Sequence, residues 1–172
     1  MREWMRTSIL VLYLIGAAAV ADLEAQAAGN PACSLLTAAD LKQATGRDYD
    51  DASPGDEMGQ GAGGGASCQW GDPVSGGLPM VSVVFIPSNG KKSYTEVSRS
   101  FKALPGCVRE PVSGLGDNAF VESCPRDRGP VIRFKKGAND AIVQLDAGES
   151  GTPASVKSTA IALAKAVATH MK

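Results

Sequence analysis

The chain has a single histidine, His170, and only 5% of its 172 residues are aromatic. One histidine excludes most zinc centres and most catalysis built on an imidazole base. Few aromatics leave little to stack on unpaired bases. A formal net charge of -1 gives no overall field to gather nucleic acid or an anionic membrane. No Cys-x-x-Cys occurs, which removes the thioredoxin motif and the close ligand pairs of cysteine zinc sites. No repeat at solenoid spacing is present. The composition gives no ground to expect a cofactor or a metal.

What is present begins with an export signal. Arg2 and Arg6 precede an apolar run of 13 residues from Ile9 to Ala21, and Ala25-Gln26-Ala27 follows as an A-x-A cleavage pattern. A membrane-crossing helix needs about 20 apolar residues, so residues 1–27 read as a signal peptide that leaves no stable span. Asp22 and Glu24 are unusual so near a cut site, which keeps an uncleaved anchor as the alternative. Asn30-Pro31-Ala32-Cys33 lacks a lipobox. The mature chain, residues 28–172, has the length of one domain, and its expected location is periplasmic or secreted.

Residues 28–172 hold 15 Lys+Arg and 15 Asp+Glu, unevenly spread. Asp40 to Asp72 contains seven acids against Lys42 and Arg47, whereas Lys91 to Lys136 contains ten basic residues against five acidic. Cys33, Cys68, Cys107 and Cys124 form an even set in an exported chain, the arithmetic of two disulfides. Pairing Cys33 with Cys68 and Cys107 with Cys124 closes the more modest loops, each worth about 3–4 kcal/mol in the chain-entropy picture.

Three helices are marked by their starts. Thr37 with Asp40 resembles a capping box, and Gly46 ends that helix. Ser93 with Glu96 makes a second box, followed by Val97, Phe101 and Leu104 as one apolar stripe expected to face the core, with Pro105-Gly106 as the stop. Thr152 and Pro153 open a third helix whose buried face is expected to carry Val156, Ala160, Leu163, Val167 and Met171. Strand patterns cover Ser67–Gly71, Met80–Ile86, Cys107–Val112, Ala119–Cys124, Pro130–Lys136 and Asp140–Asp146, the last two joined by a Gly137-Ala138-Asn139 turn. Residues 50–66 read as an acidic, Gly-rich flexible loop. This order predicts an α+β fold, an antiparallel sheet covered by about three helices.

Sites with chemistry are sparse. Gly59-Gln60-Gly61 opens no helix after a strand, and Gly90-Lys91-Lys92-Ser93 lacks the first glycine of a P-loop. Ser93 is better explained as a helix cap, with the two lysines making a weak anion site at most. His170 is read as a solvated helix-end imidazole. Asp117 and Glu122 are the best carboxylate pair for a glycosidase-type hydrolase, although Asp117 also suits a turn. Arg126, Arg128, Arg133, Lys135 and Lys136 form the most suggestive surface, fitted to an anionic ligand or an acidic protein face.

Cys33-Ser34-Leu35-Leu36-Thr37-Ala38-Ala39-Asp40-Leu41, Cys68-Gln69-Trp70 and Gly114-Leu115-Gly116-Asp117-Asn118-Ala119-Phe120, with the closing Ala-rich helix, resemble small secreted bacterial envelope domains of unknown function. Those domains are best known as actinobacterial lipoproteins, and their architecture is similar to the PsbP-like α/β/α sandwich. The resemblance spans about residues 31–171. It implies pairing of the first two cysteines and a binding or accessory role, and it carries no catalytic residues to transfer. The expected function is therefore an exported, non-enzymatic binding protein whose partner is an envelope protein or a small ligand. An inhibitor or immunity role is one concrete form. The alternative is a carboxylate-dependent hydrolase of cell-wall or glycan substrate.

Overall fold

The computed structural model describes residues 29–55, 65–72, 77–87, 93–125, 129–148 and 152–172. The expected signal peptide, most of the Gly-rich loop, and Arg126 and Arg128 lie outside the described residues. Within them the chain is α+β: seven strands in one antiparallel sheet and three helices. The strands are β1 (Ser53–Pro54), β2 (Ala66–Gly71), β3 (Met80–Ile86), β4 (Val108–Pro111), β5 (Asp117–Ser123), β6 (Val131–Lys136) and β7 (Asn139–Asp146). The helices are α1 (Ala38–Thr45), α2 (Tyr94–Ser100) and α3 (Pro153–His170), and a short 3-10 turn spans Cys33–Leu35. The sheet order is β1-β2-β3-β7-β6-β5-β4. Ser53 and Pro54, inside the segment read as a loop, form a two-residue edge strand on β2.

Strand alternation divides the sheet into two unlike faces. Cys68, Val83, Val143, Ile132 and Val121 stand opposite one another across five strands and are all buried. Trp70, Val81 and Leu145 make a second buried row on that face. Above them lie α3, α1 and the 3-10 turn. Ala160, Leu163, Ala164, Val167 and Met171 bury the α3 face as its periodicity requires, and Val156 is half-buried. Alanine at three of the buried α3 positions lets the helix approach the sheet closely.

Caps and bridges fix this layer. Thr37 Oγ1 accepts from the Asp40 amide at 3.2 Å, and the Asp40 carboxylate takes the Thr37 amide at 2.9 Å, the expected capping box. Gly46 ends α1 at φ 74°, a left-handed turn that glycine adopts without strain. The two expected disulfides are formed, Cys33 with Cys68 and Cys107 with Cys124. The first staples the 3-10 turn to the middle of β2. The second ties the start of the β4–β5 excursion to its end.

His170 is not merely solvated. Its Nε2 lies 3.1 Å from Asp40 Oδ2, joining the last turn of α3 to the first turn of α1. Burial alone would raise the Asp40 carboxyl, but the Thr37 hydroxyl and amide, with His170, outweigh it and hold the group below its usual value. A carboxyl with a lowered folded-state pKa stabilises the fold above its unfolded value, near 3.9, and loses that contribution as pH falls further.

The opposite face of the sheet carries Phe120, Glu122, Arg133, Lys135, Asp140 and Ile142, and α2 lies over part of it. Asp140 is 2% exposed. Its Oδ1 accepts from Ser93 Oγ at 2.6 Å and from the Thr95 amide at 3.0 Å, and its Oδ2 accepts from the Tyr94 amide at 2.9 Å. A carboxylate on β7 thus satisfies the amides that open α2.

Two outcomes follow. The stability gap between the native chain and Asp40→Asn is expected above about pH 4 and should close as pH falls below it, measured by urea unfolding across pH. Asp140→Ala strands three donors and should cost about 2–4 kcal/mol, with hydrogen exchange rising first in α2.

Candidate functional site

Helix α2 sits with its apolar side outward, the reverse of the expectation from its sequence. Thr95 is fully buried and Ser98 half-buried, whereas Val97 is 37%, Phe101 66% and Leu104 66% exposed. The helix also ends at Ser100, so Phe101 and Leu104 belong to the turn that follows rather than to a continuing stripe. Burying three such side chains would gain about 1.5–3 kcal/mol each. The polar groups beneath α2 decide against it.

At the N-terminal end Asp140 holds the helix as described. At the C-terminal end Arg109, on edge strand β4, donates through Nη1 to the carbonyls of Ser98 at 2.9 Å and Phe101 at 2.7 Å. Arg109 Nε pairs with Glu122 Oε2, and Arg133 Nη1 reaches Glu122 Oε1 at 3.4 Å. Both guanidiniums lie over the Phe120 ring, 5.2 and 5.9 Å from its centre. Rolling α2 over would take the Ser93, Tyr94 and Thr95 donors from buried Asp140, a cost of several kcal/mol, and would break the bonds of Arg109 to the Ser98 and Phe101 carbonyls, while Arg109, Glu122 and Arg133 would keep one another. Helix capping signals were legible in the sequence. That a carboxylate 45 residues further on would supply the amides' partner was not.

The basic group expected to form one surface is divided by the fold. Arg133 and Lys135 share the α2 side of the sheet, as strand alternation predicts. Arg133 is engaged by Glu122 and Phe120, and its side chain is only 18% exposed. Lys135 Nζ reaches Glu96 Oε1 at 3.1 Å. That contact draws the Glu96 carboxylate away from the second half of the expected capping box; Ser93 still accepts from the Glu96 amide at 3.3 Å. Lys136 points to the other face, where its Nζ donates to Ala168 O near the end of α3. These three residues therefore have intramolecular partners.

The carboxylate pair does not converge either. Asp117 is exposed at the start of β5, and Glu122 is buried between two guanidiniums. A register shift lies between them, and their partners on β6, Lys135 and Val131, are four residues apart, roughly 13 Å at the usual rise, against about 5–10 Å in glycosidase pairs. Among the described residues, no group of three or more His, Cys, Asp or Glu is placed to hold a metal ion.

A small cleft of about 150 Å³ opens on the α3 side, between the end of α1, the end of β7 and the start of α3. Thr45, Arg47, Tyr49, Pro79, Leu145 and Val156 are among its walls. Arg47 Nη1 pairs with buried Asp72 Oδ2 at 2.8 Å, so its charge is already balanced. The Tyr49 hydroxyl is buried and makes no well-formed hydrogen bond. Burial above all pushes this phenol up from its ordinary value and keeps it protonated, against the opposing pull of Thr45 and Arg47.

Among the described residues, the feature that stands most clearly outside the fold's own needs is the outward side of α2 and its following turn. Two of the acids around it are engaged, Glu96 by Lys135 and Glu110 by Lys157 at 2.6 Å, and Asp117 is exposed. Tyr49→Phe removes a buried hydroxyl that makes no well-formed hydrogen bond, so stability is expected to stay level or rise by up to about 1 kcal/mol, read from the urea midpoint. Comparison with family models, with curated proteins and with solved structures finds no match to this chain.

Proposed function

We propose that the chain is an exported, non-enzymatic accessory protein that works by docking, with the outward face of α2 as its contact surface. One observation carries this reading: Val97, Phe101 and Leu104 are held exposed by a polar network that spends buried charge to keep them there. The largest apolar patch of a typical monomer, about 300–600 Å², is often functional. Two disulfides support the exported half of the reading, since such bonds persist in oxidising compartments. Among the described residues no helix is long and apolar enough to cross a membrane. The architecture, helices on both faces of an antiparallel sheet, is the one that the PsbP-like resemblance implies. An inhibitor or immunity role would use the same face.

A photo-reactive residue at Leu104 in cells is expected to cross-link to an envelope component, whereas one at exposed Ser158 on α3 should not. Equal labelling from both positions would remove α2 as the contact. Mass spectrometry of the native protein without reductant is expected to show a new N-terminus near residue 28 and four missing thiol protons. Free thiols on a chain with its leader intact would overturn export.

A further inference from the structure

Resting on the reading of α2 as the docking face, we infer that this face binds an anionic lipid surface. The first observation is charge. From Val97 to Val108 the sequence contains Arg99 and Lys102 and no acid. Arg99 donates to the neutral Asn118 side chain at 2.8 Å, and neither cation has a carboxylate partner among the described residues. The nearest acids along the chain, Glu96 and Glu110, are each neutralised by a lysine, which leaves exposed Asp117, next to Asn118, as the one acid set against Arg99 and Lys102 there among the described residues. The whole chain carries -1 and exerts no long-range pull, so the attraction is local and acts within a Debye length.

The second observation is extent. Val97, Phe101 and Leu104 together offer on the order of 300 Å² of apolar surface. A standard protein interface takes roughly 800 Å² from each partner with a matched contour around it. A bilayer interface requires no such match: an apolar projection enters the headgroup boundary while neighbouring cations meet anionic headgroups. Helix α2 is the outer layer on its side of the sheet, with its apolar side away from the strands, so the projection is unobstructed by them. Arg109 and the Cys107–Cys124 bridge hold the turn from Phe101 to Cys107 at both ends, which limits the ordering cost of binding.

The test uses the full chain with both disulfides intact and a Phe101→Trp variant, an exposed position that leaves the core untouched. Emission is read as the difference between this variant and the native chain, which subtracts Trp4 and Trp70, and binding driven by the leader is shared with the charge variant and so reads as equal affinity. Vesicles containing phosphatidylglycerol are expected to shift that difference emission to the blue. Vesicles of phosphatidylcholine alone, or the charge variant R99Q/K102Q placed in the same background, should weaken binding by about 30-fold. Added salt should weaken the anionic binding and leave the neutral binding unchanged. No blue shift with either lipid overturns the inference, as does equal affinity for both. If vesicles fail while the photo-reactive residue at position 104 captures a protein in cells, the lipid assignment falls and the docking face stands. If neither contact forms, both fall.

Discussion

The carboxylate of Asp140 decides how this molecule presents itself. It sits on a central pair of strands, shut off from water, and a buried carboxylate is tolerated only when donors surround it. Ser93, Tyr94 and Thr95 supply those donors from the first turn of α2. The short helix is therefore placed by its amides, not by its apolar residues. Arg109 completes the attachment from the other end, and its own charge is balanced by Glu122. With both ends fixed through polar atoms, the rotation of the helix about its axis is fixed too, and the side carrying Val97 and leading to Phe101 is left facing water.

The two faces of the sheet thus follow different rules. The α3 face is an ordinary apolar core: valines, Ile132 and Phe134 under an alanine-rich helix, with Cys33–Cys68 drawing the N-terminal turn onto β2. The α2 face is held by charge, with Asp140, Glu122, Arg109, Arg133 and Lys135 all in intramolecular contacts. A hydrophobic layer tolerates changes of shape and loses stability in small steps. A buried polar layer fails sharply when one member is lost, because the partner left behind keeps its desolvation cost. The consequence is a stable body bearing one small element whose orientation depends on a few specific bonds.

Most of the architecture was legible in the sequence. An apolar run, alternation in the last hairpin and turn residues located six strands to within a few residues, and Thr37, Ser93 and Thr152 each start a helix. Cysteine spacing favoured the two bridges that form. The errors share a cause. The Val97–Phe101–Leu104 spacing read as a buried stripe because periodicity reports amphipathicity without saying which side a polar anchor will select. The intramolecular partners of Arg133, Lys135 and Lys136 were equally out of sight, and Arg126 and Arg128 of the same basic group lie outside the described residues. Glu122, Glu96 and the Ala168 carbonyl are far away in sequence, and no local pattern announces such partners. Asp140, next to the Asn139 turn, carried only a strand-end signal. Its burial depends on the first turn of α2, whose Thr95 lies 45 residues earlier in the chain.

The most direct test of this arrangement is NMR with a soluble paramagnetic agent, which broadens side-chain signals in proportion to their exposure. The account requires strong broadening of the Phe101 ring and the Leu104 methyls, with the Thr95 methyl protected like those of Val83 and Val143. The reverse pattern, Thr95 broadened and Phe101 and Leu104 protected, would show that the apolar side packs on the sheet and that Asp140 does not set the helix.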